Sequence, residues 1–213
     1  MDKGNTDSLG TYNYLNGILG KLDRAGLELG PVHLDKNKLG IDDDIDSFVL
    51  IHNNTDGIIK DGAHTFRNKF AGVFGANKEA KQLSALLNES QQSGRQINIV
   101  AHSEGTAIFT AAVKDHNKTR GTSLSNIRIR FHGPAVNVSL ASKHFEKAGI
   151  KFFGSNGGVD INSSDAVPNI IGGNTLNPLN IIKSLFKAPT LTGKIGTSPH
   201  TFPVGCDASG CKE

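Results

Sequence analysis

The apolar positions of the chain fall into short β-rich runs separated by longer stretches of helical period. INIVA, residues 97–101, is a continuous apolar run bounded by polar residues, the pattern of a buried strand. IRIRFHG, residues 127–133, alternates as the next strand, and GIKFF and GVDINSS, near 149–164, supply one strand more or two. SFVLIHN, residues 47–53, follows the acidic loop Asp42, Asp43, Asp44, Asp46 and also predicts a buried strand. Between these runs, residues 58–71, 77–92, 106–113, about 138–148 and 177–187 predict helices. In 77–92, Ala80, Leu83, Leu86 and Leu87 share one face opposite Gln, Lys and Glu. Near the start, Tyr14, Leu15, Ile18, Leu19 and Leu22 recur at helical spacing and end near Gly26. Strands alternating with helices imply a compact α/β fold, a mainly parallel sheet flanked by helices. The expected organisation is an N-terminal helical and loop extension over 1–45 packed on the core, one α/β domain over 46–204, and a cysteine-containing tail over 205–213.

Composition narrows this. With 213 residues, 37% hydrophobic and 25 glycines besides, the chain can bury a full core, which excludes overall disorder and a disulfide scaffold. No apolar stretch reaches the ~20 residues of a membrane-spanning helix. MDKGNTDSLG lacks the basic-then-apolar run of a signal peptide, so export is expected to depend on something outside this chain. Lys and Arg total 23 against 20 Asp and Glu, net +3, with no run of four basic residues. That lacks the clustered footprint of a nucleic-acid binder, and none is expected as partner. Cys206 and Cys211 either close a small terminal loop in an oxidising compartment or remain two thiols. No metal-ligand spacing is present, and neither a metal nor another cofactor is expected.

The segment with chemical content is NIVAHSEGTAIFTAA. A buried strand runs directly into Ala101-His102-Ser103-Glu104-Gly105, and a small-residue helix follows at once. This is the setting of a nucleophile elbow, where the turn strains the serine backbone and the residues two positions away must be small. Such a turn lifts Ser103 Oγ above the sheet and puts the Glu104 N–H where an oxyanion develops. The plainer alternative is that Ser103 caps the helix.

A nucleophilic serine needs a base and an orienting carboxylate, in the chain order Ser, acid, His for this kind of sheet. His116 comes too soon, where a helix-end surface role fits. His144 lies on an amphipathic helix as a solvated residue, and His132 closes a strand ahead of the best acid. His200, in Thr197-Ser198-Pro199-His200-Thr201, is late and on a loop, the position of a base; its alternative is a surface histidine. Asp165 stands just beyond the strand end in NSSDAVP, as triad acid or as a turn residue, with Asp160 in reserve. A second oxyanion donor is expected from the loop after 47–51, at the main chain of Asn54 or Thr55. His52 beside it reads as a core or supporting residue.

Taken together, IHNNTDG, VAHSEGT, FHGPAVNV, DAVPNIIG and SPHTFP resemble a lipase-like α/β-hydrolase domain found at the C-termini of large bacterial exoproteins. These are the filamentous-haemagglutinin-like and related polymorphic toxins, including contact-dependent growth inhibition effectors. The similarity spans roughly residues 45–204. It implies a compact α/β-hydrolase fold, Ser103 as nucleophile, Asp165 as acid and His200 as base. It further implies a cognate immunity protein as partner, and a toxin carried on an exported surface exoprotein into target cells. The substrate expected is an ester. In 177–187, Leu179, Ile182, Leu185 and Phe186 fall together with Lys183 and Lys187 beside them. That is either a lid or interfacial helix in contact with a lipid or membrane surface, or an ordinary core-packing helix. Two rivals stand beside the hydrolase: a toxin nuclease using His132 or His64 as acid–base group, and a non-catalytic binding module on a degenerate hydrolase fold. An acyltransferase shares the same triad.

Overall fold

The computed structural model describes residues 9–15, 34, 49–51, 78–187, 200, 206–207 and 210–211. Six parallel strands form one sheet: β1 (Tyr12–Leu15), β2 (Val49–Ile51), β3 (Ile97–His102), β4 (Ile127–His132), β5 (Lys151–Phe152) and β6 (Val159–Asp160). The order is β2-β1-β3-β4, after which β5 and β6 share the far side of β4. β5 pairs with Arg128 and Ile129, and β6 with Phe131 and His132. The helices are α1 (Lys78–Gln92), α2 (Glu104–Thr119), α3 (Val138–Ala148) and α4 (Pro178–Lys187), with a π-helical turn at Val167–Ile171. The molecule is thus an α/β fold with a mainly parallel sheet and flanking helices.

β3 is buried at all six residues, as its unbroken apolar run requires of a parallel strand covered on both faces. α2 packs between α1 and α3. Phe109 of α2, Phe131 of β4, Phe145 of α3 and Phe152 of β5 meet edge to face at centroid separations of 5.4–6.5 Å. Each such pair adds roughly 0.5–1.5 kcal/mol beyond area burial, which ties α2 to the sheet and fixes where its N-terminus emerges.

Two expectations are corrected. Residues 12–15 form a strand between β2 and β3, not the start of a helix, so these residues are part of the sheet itself. The strand survives its polar Asn13 because that buried side chain is satisfied. Its Nδ2 donates to the Gly10 and Asn98 carbonyls, at 2.7 and 3.3 Å, and its Oδ1 accepts from the Gly10 N–H. β2 is half-buried at the sheet's end among the described strands, not buried. The predicted helix 58–71 lies outside the described residues. In the tail, an antiparallel pair β7 (Cys206–Asp207) and β8 (Gly210–Cys211) sets the Cys206 backbone opposite that of Cys211.

The winding reverses at β1. The chain passes from β1 to β2 on one side and then to β3 on the other, so β1 and β3 flank a topological switch point. In open parallel sheets, the crevice beyond the carboxyl ends of such strands is where ligands bind.

Candidate active site

Ser103 stands at that crevice, in the step from β3 to α2. Its backbone has φ 55° and ψ −127°, a region sparsely populated by residues other than glycine. Its side chain makes no capping bond to α2, which sets aside the reading of Ser103 as a simple helix cap. Neighbours hold the strained turn in place. The Ser103 N–H donates to the His132 carbonyl at 3.0 Å, and its own carbonyl accepts from the Thr106 hydroxyl at 2.6 Å and the Thr106 N–H at 3.1 Å. Thr106 Oγ1 in turn accepts from the Ala135 N–H at 3.0 Å. Strain of this kind costs on the order of 1–3 kcal/mol and persists only where the surroundings over-determine it. Gly105 is required for a separate reason: a Cβ there would overlap the Leu15 carbonyl at the end of β1.

The chain following β6 delivers Asp165. Its main-chain N–H donates to the Asn162 carbonyl at 3.0 Å, and its Oδ1 accepts from the Val167 N–H at 2.9 Å, an Asx-type turn. The other oxygen, Oδ2, accepts from His200 Nδ1 at 2.7 Å, with both side chains buried. Asp165 therefore serves the turn and the histidine together. A carboxylate oxygen only accepts, so in this contact Nδ1 is the donor. Beside the pair sits Gly133, with φ +49°. A Cβ there would lie 2.9 Å from His200 Nδ1 and Cε1, and 3.1 Å from Asp165 Oδ2. Because Gly133 directly follows the carbonyl that receives the Ser103 N–H, the serine turn and the His200–Asp165 pair both adjoin the carboxyl end of β4.

Asp160 is committed elsewhere. Arg130, fully buried on β4, donates from Nη2 to both Asp160 oxygens at 2.8 and 2.7 Å, and from Nε to Oδ2 at 3.1 Å. His132 Nδ1 meets the same Oδ2 at 2.7 Å. Arg130 also donates to the Ser155 carbonyl at 2.8 Å, pinning the detour between β5 and β6. The Asp160 carbonyl accepts from the Gly133 N–H at 2.9 Å, so this buried network fixes the platform under the site. His132 is buried in this network; His64 lies outside the described residues.

Other expected positions fare variously. Asn54 and Thr55, with His52, lie outside the described residues. The strand before them, β2, is separated from β3 by β1. Glu104 is buried as the first residue of α2, whose N-terminal N–H groups point out of the helix. His116 is no surface residue: it is fully buried where the chain turns under α2, and its Nε2 donates to the Thr122 carbonyl at 2.8 Å. His144 is half-buried rather than solvated, and burial, then Lys114 and Lys147, hold its imidazole below the usual range. Tyr14, wholly buried in β1, has its phenol pushed far up by burial.

Within α4, Ser184 is the buried side chain. It donates to the Asp165 carbonyl at 3.2 Å and accepts from Asn169 Nδ2 at 2.9 Å. Leu179, Ile182, Lys183, Leu185 and Phe186 are exposed, Phe186 at 81%. The helix is therefore not a core-packing one; it is fastened by one hydroxyl to the Asp165 loop and turns apolar side chains outward. Leu176, just before it, is 95% exposed. No described helix is long and apolar enough to cross a membrane. Among the described residues, no three His, Cys, Asp or Glu side chains gather as a metal site.

His102 and Gly133 carry no signature of a site residue in the sequence. Their signal is spatial, since each matters through a histidine far along the chain. No protein-family model, curated protein or solved structure matches this chain.

Proposed function

We propose that this chain is a serine ester hydrolase acting on lipid esters, with Ser103 as nucleophile, His200 as base and Asp165 as the group that orients it. One observation carries the reading: an uncapped serine in a strained strand-to-helix turn, beside a buried His–Asp pair joined at 2.7 Å. In the proposed reaction, His200 Nε2 takes the Ser103 hydroxyl proton as Oγ bonds to the ester carbonyl carbon. The carbonyl electrons move to oxygen, where the Glu104 N–H at the start of α2 donates. The leaving alkoxide departs with the proton from His200, and water attacks the acyl-enzyme by the same route to release acid and free serine.

Lipid is favoured over a small soluble ester by α4. Its outward apolar face, with Lys183 among exposed Leu179, Ile182 and Phe186, adjoins the Asp165 loop and suits an interfacial position. The resemblance to exoprotein C-terminal domains extends the proposal to an effector delivered into target bacteria, with a cognate immunity protein as partner.

The test is intact-mass analysis after treatment with a fluorophosphonate. A single adduct on wild type, lost in Ser103→Ala and suppressed in His200→Ala, is expected. Folded wild type without an adduct would overturn the proposal. For the effector role, expression in a bacterial host is expected to be harmful with wild type and harmless with Ser103→Ala; equal harm would point away from hydrolysis.

A further inference from the structure

We infer that His102 is a positioning residue for His200, fixing the base through its main chain and its ring. This rests on the triad reading above. His102 ends β3 in register with His132 and is buried, so its ring is carried on the most enclosed strand of the sheet. From there its Nε2 donates to the main-chain carbonyl of His200 at 2.9 Å. The two rings stack with centroids 4.6 Å apart at an interplanar angle of 30°.

The geometry matters because a hydrogen bond at Nδ1 fixes only one point of an imidazole. A turn of the ring about the axis to Asp165 Oδ2 would carry Nε2 away from the serine. His102 supplies two further restraints: the carbonyl bond sets the His200 backbone, and the stacked ring sets the plane. Both come from the residue next to the nucleophile, so serine and base move as one unit with β3. A carbonyl only accepts, so His102 must carry its proton on Nε2, and the residue's essential property is a donor at that reach from the backbone. Reacting groups displaced by about 1 Å can lose a factor of ~100 in rate, which is the size of effect at stake.

Two substitutions of similar size separate donor from bulk. His102→Gln keeps an amide N–H near the reach of Nε2, whereas His102→Met has no donor. The rate of Ser103 labelling by a fluorophosphonate is measured for each, together with kcat and KM on p-nitrophenyl butyrate and the melting temperature. Expected is a ~10- to 100-fold slower labelling in His102→Met, borne by kcat with KM held, and labelling about tenfold faster in His102→Gln than in His102→Met. Labelling of His102→Met at the wild-type rate would overturn the inference. So would equal loss in both variants, or a loss in His102→Met that merely follows its fraction unfolded. Absence of labelling in folded wild type would instead remove the triad reading itself.

Discussion

The clearest quantitative consequence of the site geometry concerns Gly133. Substituting alanine there introduces a Cβ at 2.9 Å from His200 Nδ1 and Cε1, at a residue whose φ is +49°. Two effects separate. Left-handed backbone costs an alanine roughly 1–2 kcal/mol. The overlap must also be relieved, because carbon contacts settle near ~3.5 Å, so the histidine ring must recede by about 0.6 Å. That ring is not free to move: Asp165 holds Nδ1, and His102 holds the main-chain carbonyl and one ring face. Displacement of the base by this amount is expected to slow serine labelling by roughly 10- to 100-fold. For a chain of this size, the strain alone lowers the melting temperature by about 2–8 °C. Gly121→Ala is the matched control, since φ there is +67° but the nearest atom to a Cβ is 3.9 Å away. It is expected to lose similar stability and to label at the wild-type rate. Fluorophosphonate labelling measured beside thermal melts decides the matter. Wild-type labelling in Gly133→Ala, or an equal slowing in Gly121→Ala, would refute the reasoning.

Three further outcomes follow from separate features. Asp160→Ala leaves the Arg130 guanidinium buried without its carboxylate and is expected to cost about 3–5 kcal/mol, read from urea midpoints at unchanged slope; a cost below ~1 kcal/mol would contradict the buried pair. Ser103→Gly and Ser103→Ala are both expected to be inert, but the glycine variant, relieved of strain at φ 55°, should be the more stable by about 1 kcal/mol in thermal melts. Because burial and two lysines lower His144 below its unfolded value, the unfolded chain binds the extra proton and stability falls as pH drops through about 6.5; His144→Gln should flatten that limb of a stability–pH curve, and an unchanged limb would rule the residue out as its cause.

Much of the architecture is written in local pattern. The unbroken run of β3, the Ala-rich α2 and the Leu-striped α1 are each covered in ways their periodicity dictates. β1 escapes for a physical reason. Tyr14 and Leu15 fit a helical stripe with Ile18, Leu19 and Leu22, and Asn13 spoils an apolar run. Only the acceptors at Gly10 and Asn98, the second brought in by β3, make that asparagine acceptable in the middle of a sheet. In the site, a strained turn and a late histidine can be read from spacing and chain order. What cannot be read is which carboxylate is already spoken for. Place relative to the strand end ranks Asp165 above Asp160, but only the fold shows that the buried Arg130, in register with Val100, claims Asp160. His102 is equally silent, because its partner lies 98 residues downstream.

The central place of β1 governs the order in which the chain can assemble. Its partners in the sheet come later in the chain, β2 from residue 49 and β3 from residue 97, so β1 has a neighbour on each side only once β3 has been made. Contacts of such long separation close slowly. Until β3 forms, Asn13 has no Asn98 carbonyl to meet and Gly105 has not yet come against Leu15, so the serine turn has no floor. Nascent fragments ending before about residue 105 are therefore expected to be open and protease-sensitive. On the proposed function, Ser103 is set for chemistry only once β3 and the start of α2 have come against β1.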